Sequence, residues 1–238
     1  MVGIGPGSPL DRTRRAEQAI RESEVVVGYK RYLEMIPDLT AGKQLVSSGM
    51  TAETERCREA LALAARGKKV ALVSSGDPGV YGMAGLAIEL AEAEKIEVPI
   101  SIIPGVTAAT AAAAALGAPL MLDFTCISLS DLLVPWEEIK ARLDAVAAAD
   151  LVIALYNPKS TKRTWQLREA IDIIGRYRPT STPAGVVTLA GGDEERVLVT
   201  DLGRVLEAEV GMRSVIIIGN KTSKRIGRWF VTPRGYKV

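Results

Sequence analysis

The chain has 238 residues, 47% of them hydrophobic and 24% charged, and its formal net charge is +2. This composition is ordinary for a globular protein, and so small a net charge gives no reason to expect a nucleic-acid partner. The absence of histidine excludes a Ser-His-Asp triad, an imidazole base and a histidine-ligated metal. Because the only two thiols, Cys57 and Cys126, are far apart in sequence, we expect no metal site.

Neither a signal peptide nor a membrane span is predicted. The longest apolar run, residues 106–122, contains glycine and proline and lacks the bulk of a spanning segment. Two isolated cysteines are typical of a reducing compartment, so we expect a cytoplasmic protein with no membrane partner.

The first half of the chain alternates short apolar runs with helical patterns. The runs that predict strands are Val2–Ile4, Val25–Val27, Leu45–Val46, Val70–Val73 and Ile100–Ile103. Between the third and fourth runs, Cys57, Ala60 and Leu61 have the spacing of one helix face. Repeated strand–helix units of this kind predict a mostly parallel sheet covered by helices.

Composition shifts near Gly117–Pro119, so we predict an N-terminal domain of residues 1–118 and a C-terminal domain of residues 119–238. The later strands are predicted at Thr125–Leu129, Leu151–Tyr156, Val186–Val187, Val197–Thr200, Val215–Ile218 and Trp229–Thr232. Their close spacing and partial alternation favour a mixed sheet, with the last of them as an edge strand. The expected fold class is α/β, with a cleft between the two domains.

Three loops containing glycine and proline follow predicted strands of the first half: Gly3–Gly7, Ser74–Gly82 and Ile103–Thr107. Backbone without Cβ atoms can approach a ligand closely, and open α/β sheets bind ligands at the carboxyl ends of their strands. Each loop alone could be an ordinary connector. The three together favour a binding site, in which Asp77 offers a carboxylate to sugar hydroxyls or an ammonium group.

Common nucleotide-binding patterns do not fit these loops. The first loop has the spacing G-x-G-x-G, and residues 28–31, where a dinucleotide fold carries an acid for the ribose, read Gly-Tyr-Lys-Arg. The Walker A pattern is absent as well. A dinucleotide cofactor and a P-loop nucleotidase are therefore both disfavoured.

Polar clusters in the second half have two interpretations. Residues 128–136 and 156–160 each follow a predicted strand and precede a helix, so helix capping explains them as well as ligand contact does. Capping does not explain Asp123, which lies on an apolar stretch and could face a cleft. The basic group at residues 159–163 suits either a solvated helix start or a polycarboxylate ligand.

Four motifs occur in order along the chain: Gly3–Gly7, Ser75–Pro78, Ile103–Ala108 and Tyr156–Pro158. In this order they resemble the motifs of the tetrapyrrole methylases. Ile127–Leu133 with Pro135–Trp136, and also Thr232–Tyr236, resemble segments of the precorrin-3B C(17)-methyltransferases and their cobalt-factor III counterparts. The resemblance covers essentially the whole chain, although the first strand is short for this family.

The resemblance implies two αβα domains, a homodimer, and S-adenosylmethionine bound in the cleft as methyl donor. It implies methyl transfer to carbon 17 of a tetrapyrrole, either precorrin-3B or cobalt-factor III, with ring contraction, in cobalamin biosynthesis. By position, the implied cofactor contacts are Pro6, Ser75, Gly76, Asp77, Val80, Thr107, Ala108, Asn157 and Ala190.

Ring contraction requires proton transfer, and related sequences commonly carry a histidine where this chain has Leu122. We therefore predict that Asp123 or Asp131, helped by Ser128 or Ser130, handles the proton. The acetate and propionate groups of the macrocycle require cationic contacts. The candidates are Lys30, Arg31, Arg163 and Lys221.

Other functions stay open at this point. The chain could methylate a different macrocycle carbon, diphthine or the ribose of ribosomal RNA, although an RNA enzyme would be expected to be more basic than a pI of about 8.5. It could also bind S-adenosylmethionine or a corrinoid without catalysis. Methyl transfer from labelled donor distinguishes these classes.

Overall fold

The computed structural model describes residues 1–49 and 51–237. Contacts divide the chain into two compact units, Met1–Thr107 and Ala108–Val238. The domain boundary expected after residue 118 stays a prediction, and the contact-based division differs from it because the helix that begins at Ala108 packs on the sheet of the second unit. Each helix in the described ranges is too short or too polar to cross a membrane.

The described part of the first unit has one four-stranded sheet and five α-helices. Its strands are β1 (Val2–Gly3), β2 (Val25–Tyr29), β3 (Gln44–Ser48) and β4 (Val70–Ser74). Its helices are α1 (Arg14–Glu22), α2 (Lys30–Glu34), α3 (Pro37–Thr40), α4 (Glu53–Ala65) and α5 (Ala84–Ala93). The strands are parallel in the order β1-β4-β2-β3, so the loops that follow them lie at one edge. The predicted parallel sheet is confirmed.

Alternate residues of these strands point to opposite faces, and each face has its own core. On one face, Val26 of β2 packs with Ile20 of α1 and Leu39 of α3. On the other face, Val27 of β2 packs with Cys57 of α4. Helices therefore cover both sides of the sheet, as the predicted αβα layering requires.

The strand predicted at Ile100–Ile103 is wrong except at its last residue. Ile103 forms a single parallel bridge with Val2 of β1, whereas the two isoleucines before it in that segment are exposed. Prolines flank the segment and lack the N–H groups that a longer ladder would need.

The described part of the second unit has three α-helices and two sheets. The helices are α6 (Ala108–Leu116), α7 (Trp136–Ala148) and α8 (Gln166–Gly175). The strands are β5 (Gly117–Ala118), β6 (Phe124–Ser128), β7 (Val152–Tyr156), β8 (Pro183–Thr188), β9 (Arg196–Asp201), β10 (Ser214–Ile218), β11 (Lys224–Ile226) and β12 (Trp229–Val231).

The larger sheet has the order β6-β7-β10-β8-β9 and is mixed, which confirms the prediction. Strands β6 and β7 are parallel, and β10 runs antiparallel to both β7 and β8. Strands β7 and β8 therefore run in the same direction on either side of β10. As a result, the carboxyl ends of β6, β7 and β8 share one edge.

Helices cover both faces of the larger sheet. Ile153 of β7 and Ile216 of β10 pack with Leu143 of α7 on one face. On the other face α6 lies so close to β8 that a side chain at Gly185 would collide with Leu116. The close approach depends on the small residues of α6, most of which are alanine.

Strand β12 is the central strand of the smaller sheet, between β11 and β5, so its assignment as an edge strand was wrong. The two-residue strand β5 pairs with it in parallel through Gly117 and Ala118. So short a strand carries no alternation that a sequence pattern could reveal. Phe230 of β12 is fully buried, so it anchors this terminal segment to the rest of the second unit.

Candidate functional site

Backbone hydrogen bonds join the three glycine loops of the first unit. Gly76 N donates to Gly5 O at 2.7 Å, and Gly5 N donates to Gly76 O at 3.2 Å. Gly3 N donates to Ile103 O at 3.0 Å, which connects the first loop to the third. The three loops therefore meet at the carboxyl edge of the parallel sheet.

The close contact between these loops requires glycine. A Cβ atom on Gly3 would lie 2.6 Å from Gly105 N and 2.7 Å from Gly76 O. A Cβ atom on Gly105 would lie 2.9 Å from the carbonyl of Gly3 and would collide with Gly76 O. Any side chain at either position would push the loops apart.

Asp77 fixes the second loop to the third. Its Oδ1 accepts a hydrogen bond from Gly79 N at 2.8 Å, and its Oδ2 accepts one from Gly105 N at 3.0 Å. Since a carboxylate oxygen can accept two bonds, each oxygen keeps capacity for a further donor. Four more predicted cofactor contacts are partly exposed in these loops: Pro6, Ser75, Val80 and Thr107.

Lys30 and Arg31 begin α2 directly after β2, at the same edge as the glycine loops. Both side chains are exposed, and they line an open hollow of about 540 Å³ together with Ser48 and Gly49. This arrangement permits the predicted contact with an anionic substrate, which stays a prediction.

Arg56 of α4 is a buried cation beside this hollow that pattern reasoning missed. Its Nε donates to Ser48 Oγ at 2.8 Å and its Nη2 to Gly49 O at 2.7 Å, while its guanidinium carbon lies 5.9 Å from the centre of the Tyr29 ring. The helical pattern marked its neighbour Cys57 as buried, and a charged residue beside such a face is normally exposed. Arg56 holds the end of β3 in position.

Three predicted residues of the second unit lie at the shared carboxyl edge of β6, β7 and β8. Ser128 is the last residue of β6, Asn157 follows β7, and Ala190 follows β8. Ala108, the first residue of α6, precedes Ala109, whose backbone N–H donates to Tyr156 Oη at 2.8 Å. That bond connects the start of α6 to the end of β7.

Asp123 and Lys221 lie at the opposite edge of the sheet. The carbonyl of Asp123 accepts a bond from Val152 N at the start of β7, at 3.1 Å. Lys221 Nζ lies 3.6 Å from Asp150 Oδ2, just before the same strand. Because a five-residue strand spans about 17 Å, neither residue is brought together with Ser128.

Four residues at the carboxyl edge form one hydrogen-bonded network, which we call the Ser128 cluster: Ser128, Ser130, Asn157 and Arg163. Ser128 Oγ accepts from Asn157 Nδ2 at 2.9 Å and from Ser130 N at 3.2 Å. Arg163 donates to Asn157 O through Nε at 3.2 Å and Nη2 at 2.9 Å. Arg163 Nη1 also reaches Ser130 Oγ at 3.5 Å. Predicted catalytic, cofactor and substrate residues thus meet in one cluster.

Asp131 is exposed beside this cluster, and its Oδ2 accepts a bond from Gln166 Nε2 at 2.9 Å. Gln166 is buried at the start of α8, and its Oε1 has no partner among the described residues, so a water or a ligand is the expected donor. Sequence reasoning missed Gln166 because a polar residue at a helix start usually faces solvent. Burial lowers the pKa of the Arg163 guanidinium, and the charge of Asp131 opposes that shift.

Left-handed backbone occurs at three non-glycine residues in or beside predicted cofactor contacts. Tyr81 (φ 53°) follows Val80, Leu189 (φ 57°) precedes Ala190, and Asn157 itself has a φ of 49°. Such conformations are strained for tyrosine and leucine and are enriched at functional sites. These left-handed φ angles fix the direction of the backbone at the candidate cofactor contacts.

Thiol and metal chemistry have no support in the described ranges. Burial raises the pKa of the Cys57 thiol to about 11, so the thiolate is rare at neutral pH and Cys57 is a poor nucleophile. Within residues 1–49 and 51–237, no group of three or more His, Cys, Asp and Glu side chains is arranged to hold a metal ion.

Comparison with known sequences gives one family and several close relatives. A family model described as Tetrapyrrole (Corrin/Porphyrin) Methylases matches residues 1–206. A protein of Salmonella typhimurium named "Probable cobalt-factor III C(17)-methyltransferase" is 47% identical, over 100% of this chain and 99% of its own length. A "Precorrin-3B C(17)-methyltransferase" of a Sinorhizobium species is 41% identical, over 99% of this chain and 96% of its own.

Solved structures agree with these relatives. The crystal structure of the methyltransferase CobJ superposes with a TM-score of 0.91 and 36% identity, covering 98% of both chains. A uroporphyrin-III C-methyltransferase from Thermus thermophilus, solved in complex with S-adenosyl homocysteine, has a TM-score of 0.68 and 25% identity, covering 92% of this chain and 95% of its own. The second structure contains the demethylated form of a common methyl donor.

Proposed function

This chain belongs to the tetrapyrrole (corrin/porphyrin) methylases, and we propose that it transfers a methyl group from S-adenosylmethionine to carbon 17 of a corrin precursor in cobalamin biosynthesis. The observation that carries the proposal is the 47% identity, along both full chains, with a protein named for that reaction at carbon 17 of cobalt-factor III. The relative named for precorrin-3B is 41% identical, so cobalt-factor III is the first candidate acceptor and precorrin-3B the second.

The residues of the chain suit S-adenosylmethionine. The glycine loops present backbone without Cβ atoms, and both oxygens of Asp77 keep capacity for a hydroxyl or ammonium donor. Asn157 has left-handed backbone, and Ala190 directly follows Leu189, whose backbone is left-handed as well. Both residues lie at the carboxyl edge of the larger sheet. When bound, the sulfonium of the donor supplies an electrophilic methyl group.

The protein contributes mainly by holding both reactants in place. No residue has to form a covalent intermediate, because the electron-rich macrocycle carbon is itself the nucleophile. Positioning of two reactants can lower a barrier by roughly 7–11 kcal/mol. The glycine loops orient the donor in this proposal, and cationic residues orient the acceptor.

Ring contraction at the same site is part of the proposal and assigns a proton-handling role to Asp131. Asp131 lies beside the Ser128 cluster and has an oxygen free of the bond to Gln166. Asp123 lies at the other end of β6, next to the start of β7. Between the two carboxylates, Asp131 is therefore the better candidate.

The test is methyl transfer with purified protein, labelled S-adenosylmethionine and either cobalt-factor III or precorrin-3B. We expect mass spectrometry to find one added methyl group and the contracted ring with cobalt-factor III, and Asp131→Asn to lose more contracted product than Asp123→Asn. Binding of the donor without turnover on any macrocycle would contradict the proposal and favour a non-catalytic binding protein. An equal or larger loss in Asp123→Asn would overturn the role of Asp131.

A homodimeric assembly and a cytoplasmic location complete the proposal. The homodimer follows from the resemblance to the tetrapyrrole methylases, and the cytoplasmic location from the two isolated cysteines. The exposed side chains of Val197 and Leu198 on the edge strand β9 also support self-association, since such an edge is otherwise open to non-specific pairing.

A further inference from the structure

The hydroxyl of Ser128 is arranged to donate a hydrogen bond. A serine hydroxyl has two acceptor lone pairs and one donor. Both lone pairs of Ser128 Oγ are occupied, by Asn157 Nδ2 at 2.9 Å and by Ser130 N at 3.2 Å. Ser128 can therefore offer a ligand only its O–H group, and it cannot act as a proton acceptor in this arrangement.

Arg163 adds further donors on the same side. Of its five N–H groups, three are directed to Asn157 O and Ser130 Oγ, which leaves two. Its guanidinium is half-buried, yet no ion pair in the described part of the chain includes it. The charge of Asp131 offsets part of this desolvation, but Asp131 forms no ion pair with the guanidinium, which therefore remains able to bind a carboxylate ligand.

Exposed apolar side chains occur in the same chain segments as these donors. Leu132 and Leu133, next to Asp131, are 74% and 91% exposed. Trp165, two residues after Arg163, is 50% exposed and packs edge-on against Trp136 at 5.2 Å between ring centres. Donors within an apolar surface suit a ligand that combines a flat apolar body with anionic side chains.

We propose that Arg163, Ser128 and Ser130 form a subsite that binds one peripheral carboxylate of the tetrapyrrole acceptor. The inference rests on the proposed function, since it takes the acceptor from it. It replaces the predicted role of the two serines in proton transfer with a role in substrate binding. Arg163 supplies the positive charge, and the serine hydroxyls supply neutral hydrogen-bond donors. The cluster thereby selects an acceptor that carries carboxylates at the edge of its macrocycle.

The experiment compares Arg163→Gln with Arg168→Gln, its matched control. Arg168 lies in α8, carries the same charge, is exposed and is outside the basic group at residues 159–163. With cobalt-factor III as acceptor, we expect Arg163→Gln to raise KM on the order of tenfold or more, because it removes a charge-assisted hydrogen bond. KM should rise more than the Kd for S-adenosylmethionine, because Arg163 also donates to Asn157 O, a proposed cofactor contact. Arg163→Lys should restore part of the affinity, and Arg168→Gln should behave as wild type.

A second acceptor tests whether the carboxylate charge is what Arg163 recognises. Cobalt-factor III with its carboxylates converted to carboxamides keeps the oxygen acceptors but loses the charge. Wild type and Arg163→Gln should bind this derivative equally. A persistent difference would overturn the subsite, and so would an equal KM increase in Arg168→Gln or a loss of S-adenosylmethionine binding in Arg163→Gln as large as its KM increase.

Failure of the inference is distinguishable from failure of the proposed function. Direct titration of wild-type protein with cobalt-factor III, followed by its absorbance, measures binding without turnover. If wild type methylates cobalt-factor III while Arg163→Gln matches it in KM, only the subsite is wrong. If wild type neither binds nor methylates this acceptor, both proposals are wrong.

Discussion

Single glycines determine how closely the loops of the first unit approach one another. Gly105 packs on the backbone of Gly3 and Gly76, and its N–H donates to Asp77 at 3.0 Å. The same residue therefore sets both the spacing of the loops and the orientation of the carboxylate. A defect there should affect stability and donor binding together.

The first prediction concerns Gly105→Ala. Its methyl group would meet the carbonyl of Gly3 at 2.9 Å, so we expect the free energy of unfolding to fall by about 1–3 kcal/mol, as for other overpacked sites. Separation of the loops should also weaken S-adenosylmethionine binding. Urea denaturation and calorimetric titration measure the two effects.

Gly85→Ala is the matched control for this substitution. Gly85 lies in α5 with open space around it, so alanine there should leave donor binding unchanged and stabilise the helix by about 0.5–1 kcal/mol. A Gly105→Ala protein that is as stable as wild type and binds the donor equally well would contradict the role given to Gly105.

At the residue scale, the sequence predicted those features that appear as local patterns of residue types. Loops of glycine and proline after apolar runs indicate a strand end without knowledge of distant residues, so the loop with Asp77 was found. Arg56 and Gln166 are buried only because distant segments cover them, and charged or polar residues on helices usually face solvent. The partners that cover them could not be predicted from the pattern of either helix.

At the element scale, α6 shows how small side chains fix the distance between a helix and a sheet. Ala112 is fully buried, and α6 packs on β8 and β10 of the mixed sheet. An alanine-rich sequence such as that of α6 is typical of a tightly packed helix, but which strands the helix covers depends on the strand order. The helix in turn sets the position of Ala108, a predicted cofactor contact.

The second prediction compares Ala112→Leu with Ala114→Leu. Leucine at the buried position should cost about 1–3 kcal/mol or more of the free energy of unfolding, because the sheet leaves no room for it. Ala114 is exposed, so leucine there should change stability by less than about 0.5 kcal/mol. Thermal and urea unfolding measure both variants, and equal stability of the two would show that α6 does not pack tightly.

The sequence predicted the positions of the strands better than the order in which they pair. Apolar runs located most strands, while the segment before Pro104, which has a proline on each side, formed a single bridge. The prediction on proton transfer grouped Asp123 with Ser128, yet β6 carries the two residues to opposite edges of the sheet. A strand separates residues that are near in sequence, and only the sheet topology reveals it.

At the scale of the whole molecule, the net charge of +2 is too small to attract an acidic macrocycle over a long distance. Recognition of such a ligand must therefore come from local cations such as Arg163. Apolar residues exposed on the outer strand β9, together with the resemblance to a homodimeric family, support association of two copies.

The third prediction is the mass of the assembly in solution. Since one chain has a mass of 25.4 kDa, light scattering after size exclusion should give about twice that value. A single-chain mass that persists at micromolar concentration would contradict the homodimer.

The central position of β10 has a consequence for synthesis of the protein. In the larger sheet, β10 is the last strand to be translated, yet it fills the gap between β7 and β8. A nascent chain still attached to the ribosome at β9 cannot bring Asn157 and Ala190 into register, because the strand that spaces them has not been made. The proposed cofactor contacts Asn157 and Ala190 therefore come together only near the end of translation.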